Sequence, residues 1–238
     1  MSRFYFKNLK SGEGHFSDEF GIYLRSIPII PVTKREYESH PVEGRDGTLT
    51  IDKKRYRDLS FPLDLIVSKK RKDELYEQLD ALYNWLDGRG ELSFEEYLPG
   101  KHFITKIIEL GDFEHVAKAG GFHTIGLLCE PFKYSELKKI DFVGPKTIFN
   151  PSDIPSKPDI TIYGTGNITI SVNGVSTILN NVDGHVTIES EAQRTRKDLI
   201  PKNSDKIGPF PVLSKGSNLI ETTGTVTNIK LETKWRWK

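Results

Sequence analysis

Apolar and polar positions alternate differently in the two halves of the chain, and the difference predicts two domains. Phe4-Tyr5-Phe6 reads as a short aromatic strand closed by the turn signal Ser11-Gly12-Glu13-Gly14. Residues 22–27 read as a second strand, stopped by Pro28 and Pro31. Residues 34–47 are polar without a consistent period, the pattern of an extended arm, and end in a tight turn where Gly44 and Gly47 suit positive φ. Residues 48–52 and 61–67 are predicted strands on either side of the basic connection Lys53-Lys54-Arg55-Tyr56-Arg57. A helix is predicted over residues 69–87, where Leu75, Leu79, Leu82 and Leu86 form one stripe and Tyr76, Tyr83 and Trp85 widen it. Ser68 is placed to cap its start and Gly88 to close its end. Residues 91–97, 102–109 and 122–130 follow as strands.

Past Pro131-Phe132 the helical period disappears. Short β segments remain at 160–163, 168–172, 176–179 and 185–189, with turns expected at Gly164-Thr-Gly166, Asn173-Gly174 and Asp183-Gly184. A loop over 207–213 and Lys215-Gly-Ser-Asn218 lead to a long final strand over 226–237. Close spacing of short strands predicts a β-sandwich. The expected fold is therefore an α+β N-terminal domain over residues 1–132, a β-sheet with one long amphipathic helix and an arm at about 34–47. An all-β sandwich domain over 133–238 completes it.

Composition narrows the function. The 238 residues carry 34 basic and 33 acidic side chains, so no global field calls for nucleic acid or an anionic membrane. Cys129 is the single cysteine, which excludes an intramolecular disulfide and fits assembly in a reducing cytoplasm. The N-terminal residues lack the apolar run of a signal peptide, and no stretch approaches the roughly 20 apolar residues of a membrane helix. Neither secretion nor membrane insertion is expected.

Candidate chemistry is sparse. The histidines at 15, 40, 102, 115, 123 and 185 show no metal-ligand spacing, and one cysteine cannot build a zinc framework. Cys129 lies in an apolar strand beside Leu127 and Leu128, where a buried structural thiol is expected rather than a nucleophile. Glu95-Glu96, placed on a strand, would point to opposite faces and share no proton. Asp183, Glu189 and Glu191 are the acidic cluster of the second domain and are expected to share no face; His185 reads as a turn-flanking polar residue. Gly164-Thr-Gly166 lacks the third glycine and the helix of a dinucleotide loop. Trp235 and Trp237 lie in phase with Ile229 and Leu231, so they are expected to face a core or an interdomain seam rather than stack on sugars. Two basic runs, residues 53–57 and 69–72, are read as solvated faces or subunit contacts, with nucleic acid as the alternative. No catalytic, cofactor-binding or metal-binding residue is assigned, and the chain is not expected to be an enzyme.

The order of several short motifs resembles the distal tail protein family of long-tailed phages. The aromatic first strand, Gly44-Arg45-Asp46-Gly47 after a polar arm, and a helix ending Trp85-Leu86 come first. Leu128-Cys129-Glu130-Pro131-Phe132-Lys133-Tyr134 resembles the family's domain-closing strand. Phe149-Asn150, residues 158–164, Ile170-Ser-Val-Asn173-Gly174 and residues 210–218 resemble its second domain, so the likeness covers nearly the whole chain. The resemblance implies a structural tail-tip component in the virion, made in the host bacterial cytoplasm. It implies a hexameric ring of N-terminal domains that joins the tail tube to a tail-associated fiber or lysin protein, or baseplate proteins, and lets DNA pass without holding it. It further implies outward galectin-like sandwiches that in some phages hold receptor-binding proteins. The length leaves no room for an inserted carbohydrate-binding module. A sandwich that itself binds carbohydrate during host attachment is the alternative.

Overall fold

The computed structural model describes residues 2–68, 72–117 and 120–238, and these divide into two units. One comprises the residues up to Tyr134 together with Lys238, the other Ser135–Trp237. In the first unit the strands are β1 (Tyr5–Asn8), β2 (Gly14–Phe16), β3 (Ile22–Leu24), β4 (Arg35–Pro41), β5 (Thr48–Tyr56) and β6 (Leu59–Ser68). The helix α1 (Lys72–Trp85) precedes β7 (Gly90–Ser93), β8 (His102–Ala117) and β9 (Gly120–Tyr134). The main sheet runs β2-β1-β7-β8-β9-β6-β3 with antiparallel neighbours, while β4 and β5 pair only with each other.

Strict alternation explains the core of this unit. Leu59, Phe61, Leu63, Leu65 and Val67 on β6 face the same side as Ile125, Leu127 and Cys129 on β9, and all are buried in one cluster. Leu75, Leu79, Leu82 and Leu86 join that cluster, so the predicted leucine stripe covers the sheet. Pro62 lies in mid-strand opposite Gly126, and β3 reaches only Leu65 to Val67. The missing N–H therefore falls where β6 has a neighbour on one side alone.

The α+β expectation for this unit is overturned, because strands dominate it. Its one helix has 14 residues, whereas β8 alone has 16 and β9 has 15. The polar arm over 34–47 is largely a strand paired with β5, and the basic connection over 53–57 is the end of β5 itself. Polar residues on a ribbon wet on both faces show no apolar alternation, so periodicity misses such strands. Ser68 ends β6, and residues 69–71, the predicted first turn, lie outside the described residues.

The second unit contains β10 (Lys138–Phe142), β11 (Lys146–Asn150), β12 (Asp159–Val172), β13 (Val175–Glu189) and β14 (Arg194–Lys197). After these come β15 (Ile200–Pro201), β16 (Lys206–Ile207) and β17 (Gly216–Thr233). Their order is β10-β17-β12-β13-β14-β15, with β11 also on β17 and β16 on β13. On β12 every buried isoleucine, Ile160, Ile162, Ile168 and Ile170, has even number and so lies on one face. No helix in this unit covers that face, and the sheet meets itself around one core that also takes Ile188, Leu213, Ile229, Leu231 and Trp235.

Two expected turns are bends inside continuous strands. Gly164 and Gly166 lie within β12, and Asp183-Gly184 within β13. The register slips at Gly166/Ile168 and at Tyr163/Gly164, which marks the bend. A side chain at Gly164 would stand 2.1 Å from the Thr225 carbonyl oxygen, so the backbones approach there as only glycine allows. Asn173-Gly174 is a true hairpin turn, with φ of 53° and 82°.

Candidate functional site

The feature of the first unit that points outward is the β4–β5 ribbon. The Arg57 N–H donates to the Lys34 carbonyl at 3.0 Å and closes its base. From there the pairing runs from Tyr37 opposite Asp52 to Pro41 opposite Thr48. Both outer edges lack a strand partner among the described residues, leaving backbone donors and acceptors available for pairing. Tyr37 is 51% and Ile51 43% exposed, and Leu49 and Val42 are also exposed. An isolated two-stranded ribbon is marginal in water, and apolar side chains presented on it call for a covering surface.

The basic residues of the ribbon are largely matched on the ribbon itself. Arg55 donates twice to the Glu36 carboxylate, at 2.8 and 3.0 Å, and this bond holds Glu36 below the usual carboxylate range. Lys53 pairs with Glu38, and Arg35 lies 3.2 Å from Asp52. These pairs are exposed and add little stability, but they remove much of the phosphate attraction that the run over 53–57 suggested. Of the other basic run, Lys69, Lys70 and Arg71 lie outside the described residues.

The remaining candidates are dispersed. Cys129 is fully buried, and burial followed by the charges of Asp58 and Glu130 pushes its thiol up to about 12. Glu95 and Glu96 lie in an exposed turn beyond β7, not on a strand, so the alternation argument does not apply to them. Asp183 pairs with Lys197, Glu191 with Lys157 and Arg236, and His185 lies 3.2 Å from Asp198. Trp235 is buried in the second core, and Trp237 packs against the same cluster. Among the described residues no group of three or more His, Cys, Asp or Glu side chains suits a metal ion. No helix among them is long and apolar enough to cross a membrane.

One cluster was invisible in the linear sequence. Asp159 pairs across the sheet with Glu189 on one side and Glu232 on the other. Glu189 is held below its usual range, first by its bond from Arg194 and also by Arg196. Asp159 is pushed up to about 6 by burial first, then by the two flanking carboxylates. Only the β12 register brings these three acids together, and residues 73 positions apart carry no sequence signal of it.

This two-unit fold has a counterpart among solved phage proteins. Among solved structures, the chain is similar to the Dit protein of phage SPP1, described as a hub of the adsorption apparatus in phages that infect Gram-positive bacteria. The match has TM-score 0.62 and 13% identity and covers 100% of both chains. A chain of the phage P2 baseplate, in its activated conformation with Ca, matches at TM-score 0.49 and 10% identity, covering 99% of this chain and 98% of that one. No protein-family model matches the sequence, and no curated protein does. At such identities the likeness is one of fold.

Proposed function

We propose that this chain is a structural hub of a long-tailed phage tail tip, a virion component that assembles as a ring of six copies. The ring would join the tail tube to the fiber, lysin or baseplate proteins beyond it and leave a path for DNA. The observation that carries the reading is the full-length fold match to the SPP1 hub protein. The β4–β5 ribbon supports the assembly part, since it presents unpaired edges and apolar side chains that a neighbouring copy would cover. The sandwich unit would face outward, toward receptor-binding proteins.

The test is the mass in solution over a range of concentrations, alone and mixed with the tube and tail-tip proteins of the same phage. Rings should appear in at least one condition. Because Lys34 and Arg57 already meet, residues 35–56 can be replaced by a short Gly-Ser turn, and that deletion should abolish rings while both units stay folded. A strict monomer in every mixture, or rings undisturbed by the deletion, would overturn the proposal.

A further inference from the structure

Two strand edges of the second unit open onto one recess. β10 and β11 both lie beside β17, at residues 229–233 and 216–220, and among the described residues neither has a strand on its other side. Their outer backbone donors and acceptors are therefore left for pairing. A cavity of about 310 Å³ is lined from both strands, with Ile148 and Trp235 as its apolar floor.

The two edges are guarded differently. On β10 the inward phase begins with Lys138, opposite the buried Thr233, and the outward phase carries Lys139 and Asp141. Charge in both phases is the usual protection of an edge strand. On β11 Lys146 takes the inward phase, opposite the buried Ile220, but the outward phase holds Thr147 and Phe149, and Phe149 is 65% exposed. Leu219, opposite Thr147, continues this apolar face and is 43% exposed. Lys139 holds Glu232 at 3.0 Å, whereas Lys138 and Lys146, which both line the cavity, hold no carboxylate among the described residues.

We propose that β11 is a docking edge for an acidic, extended peptide segment of a partner protein, which adds to the sheet as one more strand. Acidic side chains in its inward phase would reach Lys146 and Lys138, and apolar ones in its outward phase would cover Phe149 and Leu219. A basic segment would face two uncompensated cations, and a purely apolar one would leave them unmatched. A small free anion would make no use of the open backbone edge. Charge and extended shape are thus selected together.

Fluorescence anisotropy on the full chain tests this, with a labelled, end-capped peptide of about six residues, an ordinary strand length, alternating glutamate and valine. One control carries lysine for glutamate; the other keeps the glutamates but is N-methylated along its backbone, so it cannot donate to a ladder. The acidic peptide should bind at sub-millimolar strength and both controls at least about tenfold more weakly. The double variant Lys138→Glu, Lys146→Glu should lose the acidic peptide and gain the lysine one; both positions are exposed, so it should melt as the parent does. Hydrogen exchange over residues 146–150 should slow when the acidic peptide is added, a change that contact at the lysines alone would not produce. No binding of the acidic peptide at millimolar concentration, comparable binding of either control, binding that survives the double reversal, or unchanged exchange over 146–150 would overturn the proposal. None of these readouts depends on ring assembly.

Discussion

Asp159→Asn should stabilise the protein, and the gain should depend on pH in a specific way. Asp159 lies directly between Glu189 and Glu232 across three strands, a like-charge arrangement that disfavours its ionised form. Its carboxyl is pushed up to about 6, so between about pH 4 and pH 6 the folded state binds the proton more tightly than the unfolded chain does. Stability therefore falls as pH rises through that window and levels off above it. The full shift would correspond to about 3 kcal/mol at about 1.4 kcal/mol per unit. Part of the Asp159 side chain stays in water even though the sheet strips the rest of its hydration, and screening reduces the expected gain to about 1 kcal/mol at pH 7.5. The assay is urea unfolding of the full chain at a series of pH values, followed by circular dichroism. Glu189 contributes with the opposite sign, since its depressed pKa favours the fold above its unfolded titration, so parent and variant must be compared at each pH. The difference should shrink toward zero by about pH 4. A destabilised variant at pH 7.5, or a gain that does not change with pH, would refute the reasoning.

Leu79→Ala should cost about 2–5 kcal/mol in chemical unfolding, because Leu79 is buried between α1 and the sheet; an unmeasurable change would place the stripe elsewhere. Cys129 should resist maleimide at pH 8 in the native protein and react fully in urea, since its thiol is buried and its pKa raised to about 12; rapid native labelling would contradict that burial. Assembled rings should bind double-stranded DNA more weakly than micromolar near physiological salt, as Lys53, Arg55 and Arg35 already hold carboxylates. Tighter binding, lost on reversing the charges of residues 69–72, would make that run a DNA site.

The parts of this fold that the sequence revealed were those with local physics. The leucine stripe of α1 has a period that only one conformation satisfies, and Asn173-Gly174 supplies the positive φ of a tight hairpin. Gly164, Gly166 and Gly184 carry the same local preference but sit at bends, because pairing of β12 with both β13 and β17 holds the strands continuous through them. The β4–β5 ribbon was read as an arm because neither of its faces is buried. The absence of a motif told less: the carboxylate row comes from pairing register.

The position of β17 also bears on how the chain reaches its native state. β12 lies between β13 and β17, and Asp159 meets Glu232 only after the intervening residues have been synthesised. During translation β12 and β13 can zip early through their Asn-Gly hairpin, but the other flank of β12 stays open until β17 emerges. That flank is a long row of unpaired backbone donors and acceptors, the kind of edge on which nascent chains aggregate or capture one another. Non-local closure of this sort is slow, so the sandwich should be the late, rate-limiting part of maturation. Ribosome-released fragments ending before Gly216 should then be insoluble, which makes yield in a truncation series a direct readout of when the second unit closes.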